Sequence, residues 1–132
     1  MEITTALEQG RVPVTVVQVS GNLDSSSFQA FQTGVEDLIA SGARHILVDL
    51  TNAPFLSSAG LRALQSIFTR LRTENQDISE EEMHKGISAG TYKSPHLKIL
   101  NLSEQAGTAF KMAGFDMFIE TFIDRQAAIS SF

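Results

Sequence analysis

Ser57 and Ser58 stand side by side in the stretch APFLSSAGLRAL, Ala53 to Leu64, where an apolar strand gives way to an amphipathic helix. A serine in that place can do one of two things. Its hydroxyl can cap the helix, or its oxygen can accept a phosphoryl group. The start of a helix presents unpaired backbone N–H groups and the positive end of the helix dipole. A phosphate esterified there carries about −1.5 to −2 charges at pH 7, which those donors can hold. Asp24 follows the preceding strand, VTVVQVSGNL. In a parallel sheet the carboxyl ends of the strands share a pole, which sets Asp24 at the same pole as the serines. Asp24 suits a helix cap equally well. Gly60 in the first helical turn reads as a place of close packing, since a glycine there costs about 1 kcal/mol against alanine.

Other chemistries find little support. LSSAG lacks the first glycine of a G-x-S-x-G elbow, and no histidine takes the late-chain place after an acid that a hydrolase triad needs. A phosphate-binding G-x-x-x-x-G-K-[ST] is absent. His45, His84 and His96 show no metal-ligand spacing and read as surface or strand-end residues, so no metal or other cofactor is expected. With no cysteine there are no disulfides or thiolate sites, which suits a reducing cytoplasm. A net charge of −5, no tryptophan and one tyrosine argue against a nucleic-acid partner. No apolar run approaches the ~20 residues that span a bilayer, and the first residues lack the pattern of a signal peptide.

The elements that must position the serines alternate along the chain. VPVTVVQVS, residues 12–20, reads as a strand, with a short partner strand before it and Glu8 to Arg11 as the turn. A helix follows, capped by Asp24, Ser25, Ser26 or Ser27, with Phe28, Phe31, Val35, Leu38 and Ile39 as its apolar stripe and Gly42 as its stop. HILVDL, His45 to Leu50, is a buried central strand, and Asp49 caps the loop beyond it through Thr51 or Asn52. Leu61, Leu64, Ile67, Phe68 and Leu71 form the stripe of the helix that begins at Ser58. HLKILNL, SEQAGTAFKMAG and FDMFIETF then give a strand, a helix and a last strand, and DRQAAISSF a short terminal helix. Phe110, Met112, Phe115, Met117 and Phe118 read as core. The order predicts a single α/β domain over residues 1–132, with a mixed sheet of about four or five strands packed against helices. Residues 72–95 form a polar insertion too long for an ordinary connection. Within it SEEEMHK is expected to make a helical turn or two, capped by Ser79, with the remainder mobile.

GNLD, HILVDL, FLSSAGLRAL and LKILNLSEQAGTAFKMAGFDMFIE resemble, in order and spacing, the STAS domain of anti-sigma-factor antagonists. That family reads G-x-L-D, a strand ending D-L, then D-S-S-G-L or S-S-A-G-L, then a helix ending A-G-L/F. The resemblance implies a STAS-like binding protein and not an enzyme, acting in bacterial transcription control by partner switching. Its partner would be a GHKL-type serine kinase that is also the anti-sigma factor, with a phosphatase reversing the modification. It places the phosphoacceptor on Ser58 and sets Ser57 where relatives often carry an aspartate. Asp24 matches the family's aspartate near the acceptor, and Ala59, Gly60 and Leu61 complete the expected partner-binding stretch. A second reading keeps the fold without phosphorylation, as a regulatory or scaffold subunit of a transporter or signalling assembly. In either case residues 72–95 belong at the pole away from Ser58.

Overall fold

Among the described residues five strands form one sheet, ordered as they occur along the chain. The computed structural model describes residues 1–75 and 78–132. β1 (Glu2–Gln9) and β2 (Pro13–Ser20) pair antiparallel as a hairpin, and β2, β3 (Ile46–Asn52), β4 (Leu97–Leu100) and β5 (Glu120–Phe122) run parallel. The sheet is therefore mixed, as the sequence predicts. β1 is longer than expected and extends through Gln9, so the turn closes on Gly10 to Val12, where the Gly10 amide donates to the Val12 carbonyl.

Alternation along the strands sends side chains to two different layers. On one face Val17, Val19, Ile46, Val48, Leu50 and Ile99 meet α1 (Phe28–Ala40), α2 (Ser58–Asn75) and α4 (Glu104–Met112). Phe31, Val35 and Ile39 of α1 and Leu64, Ile67, Phe68 and Leu71 of α2 fill that layer, at the helical spacing read from the sequence. On the other face Val14, Val16, Leu47 and Leu100 are covered by Ala128, Ile129 and Phe132, of and just beyond α5 (Arg125–Ser131). Burial on both faces explains why HILVDL is an almost unbroken apolar run. Lys98 is buried on the α5 side, yet its ammonium donates to the Ser131 carbonyl and hydroxyl and lies 3.4 Å from a Glu120 carboxylate oxygen. Those partners offset the cost of burying the charge.

Two segments differ from expectation. SEEEMHK makes more than a turn or two: α3 (Glu80–Ala89) runs for ten residues and ends at Gly90, whose φ of 74° suits glycine. Ser79 caps it as expected, accepting from the Glu82 amide at 3.1 Å. Met83 enters the core, and Ile78, Ile87 and Tyr92 pack against it, so the apolar positions of the insertion hold it to the domain. Gln76 and Asp77, which belong to the same insertion, lie outside the described residues. Met83→Ala is expected to lower unfolding free energy by about 2 kcal/mol, from lost burial and a residual cavity, as read by a denaturant melt. The second difference is FDMFIETF. Gly114, at φ 80°, turns the chain into a 3-10 turn, Phe115–Met117, which leaves only Glu120–Phe122 as strand. Phe115 packs between Phe110 and Phe118, at 5.6 and 5.5 Å between ring centroids, a cluster that competes with extension of the strand.

Candidate functional site

The segments that follow β2 and β3 run side by side beyond the strand ends. The Gly21 amide donates to the Asn52 carbonyl at 2.9 Å, Leu23 donates to Phe55 at 3.0 Å, and Ser57 donates to Leu23 at 2.9 Å. Leu23 and Leu56 form a parallel bridge, so the sheet in effect continues into the two loops. α4 holds the second loop from its other side. The Gln105 amide group accepts from the Leu56 N–H at 2.9 Å and donates to the Leu56 carbonyl at 3.1 Å. The Ser103 hydroxyl donates to the Pro54 carbonyl at 2.6 Å. Nothing in the sequence singles out Gln105, because its role depends on a loop 49 residues away.

The two serines have different positions. Ser57 is the cap of α2: its hydroxyl accepts from the Gly60 amide at 3.3 Å and its carbonyl from the Leu61 amide at 2.9 Å. Ser58 is the first helical residue and is exposed, and its hydroxyl has no hydrogen-bond partner among the described residues. Ala59 and Gly60 are buried beneath it and Leu61 is half-buried. A Cβ at Gly60 would come within 2.9 Å of the Leu23 carbonyl oxygen and 2.7 Å of Leu56 Cδ1. The glycine is thus the point at which the helix start touches the Leu23–Leu56 bridge.

Asp24 adjoins that bridge. Its carboxylate accepts from the Ser26 amide at 3.0 Å and from the Ser26 hydroxyl at 2.7 Å. It therefore caps its own turn and not α1. Ser27, which directly precedes α1, makes no side-chain cap either, because its hydroxyl donates to the Asn22 carbonyl at 2.6 Å. The Ser26 hydroxyl, then the Ser26 amide, hold the Asp24 carboxyl below the ordinary value of 3.8. A carboxyl depressed by folding contributes stability that is fully present above 3.8 and is lost as pH falls through its lower folded value. A carboxyl NMR titration is expected to give an Asp24 midpoint below 3.8, and Ser26→Ala to move it back toward that value.

Beside Ser58 lies an open groove of about 500 Å³, bordered by Phe55, Ser57, Leu61, Gln105 and Met112. Phe55 is 41% exposed and Met112 84% exposed. Met112 and the 45%-exposed Met117 are thus not core, contrary to the sequence expectation. Met112 is the last residue of α4 and faces the groove, whereas Phe110 is buried two residues earlier. Asp49 accepts from the Thr51 amide at 3.0 Å, and His45 and His96 lie at strand starts with rings 5.1 Å apart. Among the described residues no helix is long and apolar enough to cross a membrane.

Comparison with known proteins bears on this arrangement. A family model for the STAS domain matches residues 5–78. The fold is similar to that of a Thermotoga maritima protein assigned as an anti-sigma factor antagonist, with TM-score 0.72 and 12% identity over 96% of this chain and 91% of that one. An anti-sigma factor antagonist from Mycobacterium paratuberculosis gives TM-score 0.68 at 18% identity, over 98% of this chain and 93% of that one. The Bacillus cell fate determinant SpoIIAA in its phosphorylated form gives 0.62 at 16% identity, over 96% of each chain. No curated protein sequence matches the chain.

Proposed function

The chain belongs to the STAS domain family, and from that premise we propose that it is an anti-sigma-factor antagonist that binds a serine-kinase anti-sigma factor and is switched off by phosphorylation of Ser58. The observation that carries this reading is the division of labour between the serines. Ser57 is consumed as the cap of α2, while the hydroxyl of Ser58 is open to an incoming kinase. Solved structures of similar fold are described as anti-sigma factor antagonists, and another of similar fold, the Bacillus cell fate determinant SpoIIAA, is in a phosphorylated form.

The surroundings suit both states. Unmodified Ser58 adds no charge to a face where Phe55, Leu61 and Met112 offer apolar surface for a partner. A phosphate on Ser58 would meet the first-turn amides not used by the cap and the positive end of the α2 dipole. It would also add its charge close to Asp24, which its Ser26 contacts keep ionised. A partner covering that patch must then desolvate a dianion next to a carboxylate, and affinity falls. Ser57 in the place where relatives often carry an acid leaves the unmodified face less negative, which widens the contrast between the two states. The partner is a GHKL-type serine kinase, a phosphatase resets the switch, and the unphosphorylated form frees the sigma factor.

The test is capture of binding proteins from the native cell extract on immobilised unmodified chain, with Ser58→Glu as the comparison. Retention of a GHKL-type kinase on the first and its loss on the second supports the reading. Capture of a transporter or scaffold subunit, equal on both, favours a STAS subunit without a phosphorylation switch.

A further inference from the structure

We propose that β1 is a dimerisation edge, along which two copies of this chain join their sheets antiparallel about a two-fold axis at Thr5. This does not rest on the assignment of Ser58, which lies at the end of the sheet and not along this side.

The direction of the free backbone groups follows from the register. The Thr15 amide donates to the His45 carbonyl of the strand leading into β3, so odd-numbered residues of β2 point toward β3 and even-numbered ones toward β1. Thr4 pairs with Gln18, Ala6 with Val16 and Glu8 with Val14, so the even-numbered residues of β1 use their N–H and C=O groups on β2. Ile3, Thr5 and Leu7 therefore direct theirs outward from the edge of the sheet, where no strand follows among the described residues.

Edges of this kind are usually protected by charged side chains, a proline, a bulge or shortness, and the charges on β1 are Glu2 and Glu8, near its two ends. The opposite edge, β5, has only three residues. β1 has eight residues in unbroken register with β2, and no lysine or proline. Its outward set is also self-complementary. With the axis at Thr5, that residue exchanges both backbone bonds with its own symmetry mate, and Ile3 does the same with Leu7 of the second copy. Opposed residues share a face of the sheet, so Leu7, 73% exposed in the single chain, comes to lie against Ile3 of the other copy. What favours a second copy is the side-chain pairing, since the two-fold axis sets the exposed Leu7 of each copy on Ile3 of the other.

One pairing, made twice by the two-fold axis, opposes the arrangement: Glu2 of each copy faces Glu8 of the other on the α5 side of the sheet. Arg125, 3.8 Å from Glu8, stands beside that pair and moderates the repulsion. A single pair of edge strands makes a small interface, so the dimer is weak and concentration-dependent.

Sedimentation velocity at micromolar and millimolar protein tests this, with two variants. Thr5→Pro removes an outward N–H and leaves the β2 ladder whole, and Leu7→Lys sets a cation where Ile3 of the second copy would pack. The expected result is a shift from 14.4 kDa toward twice that mass for the unaltered chain, and monomer at every concentration for both variants. Hydrogen exchange should show the Ile3, Thr5 and Leu7 amides gaining protection as concentration rises, with those of Thr4, Ala6 and Glu8 protected throughout. A chain that stays monomeric at millimolar concentration overturns the proposal, as does a dimer that survives Leu7→Lys. If Thr5→Pro lowers the far-UV circular dichroism signal, Leu7→Lys alone decides.

Discussion

Replacing Ser58 with glutamate is expected to weaken binding to the proposed serine-kinase anti-sigma factor more than a hundredfold, or about 3 kcal/mol. The size follows from where the charge falls. Ser58 is exposed at the start of α2, so the fold tolerates a carboxylate there, and the helix dipole favours it in the free protein. Both effects leave the free state untroubled and load the penalty onto the complex, where the charge loses its water next to Asp24 and an apolar rim. Ser58→Ala, which adds no charge, should bind as the unaltered chain does and resist phosphorylation. Calorimetric titration of the purified kinase with the three proteins measures the difference. Similar affinities for all three would sink the electrostatic account.

Gly60→Val is expected to cost about 3 kcal/mol of stability, the upper end of what overpacking does in a well-filled interior. A Cβ alone would meet the Leu23 carbonyl oxygen at 2.9 Å, and a backbone atom cannot step aside as a side-chain end can. The branched side chain adds to that crowding and must push α2 away from the Leu23–Leu56 bridge. Because Ser57 donates to the same Leu23 carbonyl, the displacement reaches the serines as well as the core. Thermal melting should show a drop on the order of 10 °C. An unchanged midpoint would mean that helix and loop are not in the contact described.

Much of the fold was legible because it depends on local rules. The stripes of α1 and α2 follow a period of 3.6 residues, β2 follows a period of two, and Gly42, Ser79 and Gly114 mark ends by their conformational preferences. The limits are equally physical. FDMFIETF reads as a strand by composition, but Phe115 finds Phe110 and Phe118, and tertiary ring packing overrides propensity. Asp24 and Ser27 both qualify as caps of α1 by residue type, yet Asp24 bonds Ser26 within its own turn and Ser27 donates back to the Asn22 carbonyl. Met112 has the hydrophobicity of a core residue, and only its place as the last residue of α4 turns it toward the groove.

At the site itself the sequence located the serines but not their division of labour. A serine just before the first helical turn and one inside it are separated by a single residue, and boundaries read from sequence are not that fine. The resemblance to relatives favoured Ser58, and what the structure adds is that Ser57 is the serine whose hydroxyl accepts from the Gly60 amide. Gln105 escaped notice because a side chain that clamps a distant backbone leaves no local pattern.

The most direct test of the switch is to phosphorylate the chain with the captured kinase and ATP, map the phosphate by mass spectrometry, and titrate the purified product against the same kinase. One phosphate on Ser58, none on Ser57, and an affinity reduced more than a hundredfold is the predicted result. A phosphate elsewhere, or a Ser58-phosphorylated chain that binds as tightly as the unmodified one, would contradict it.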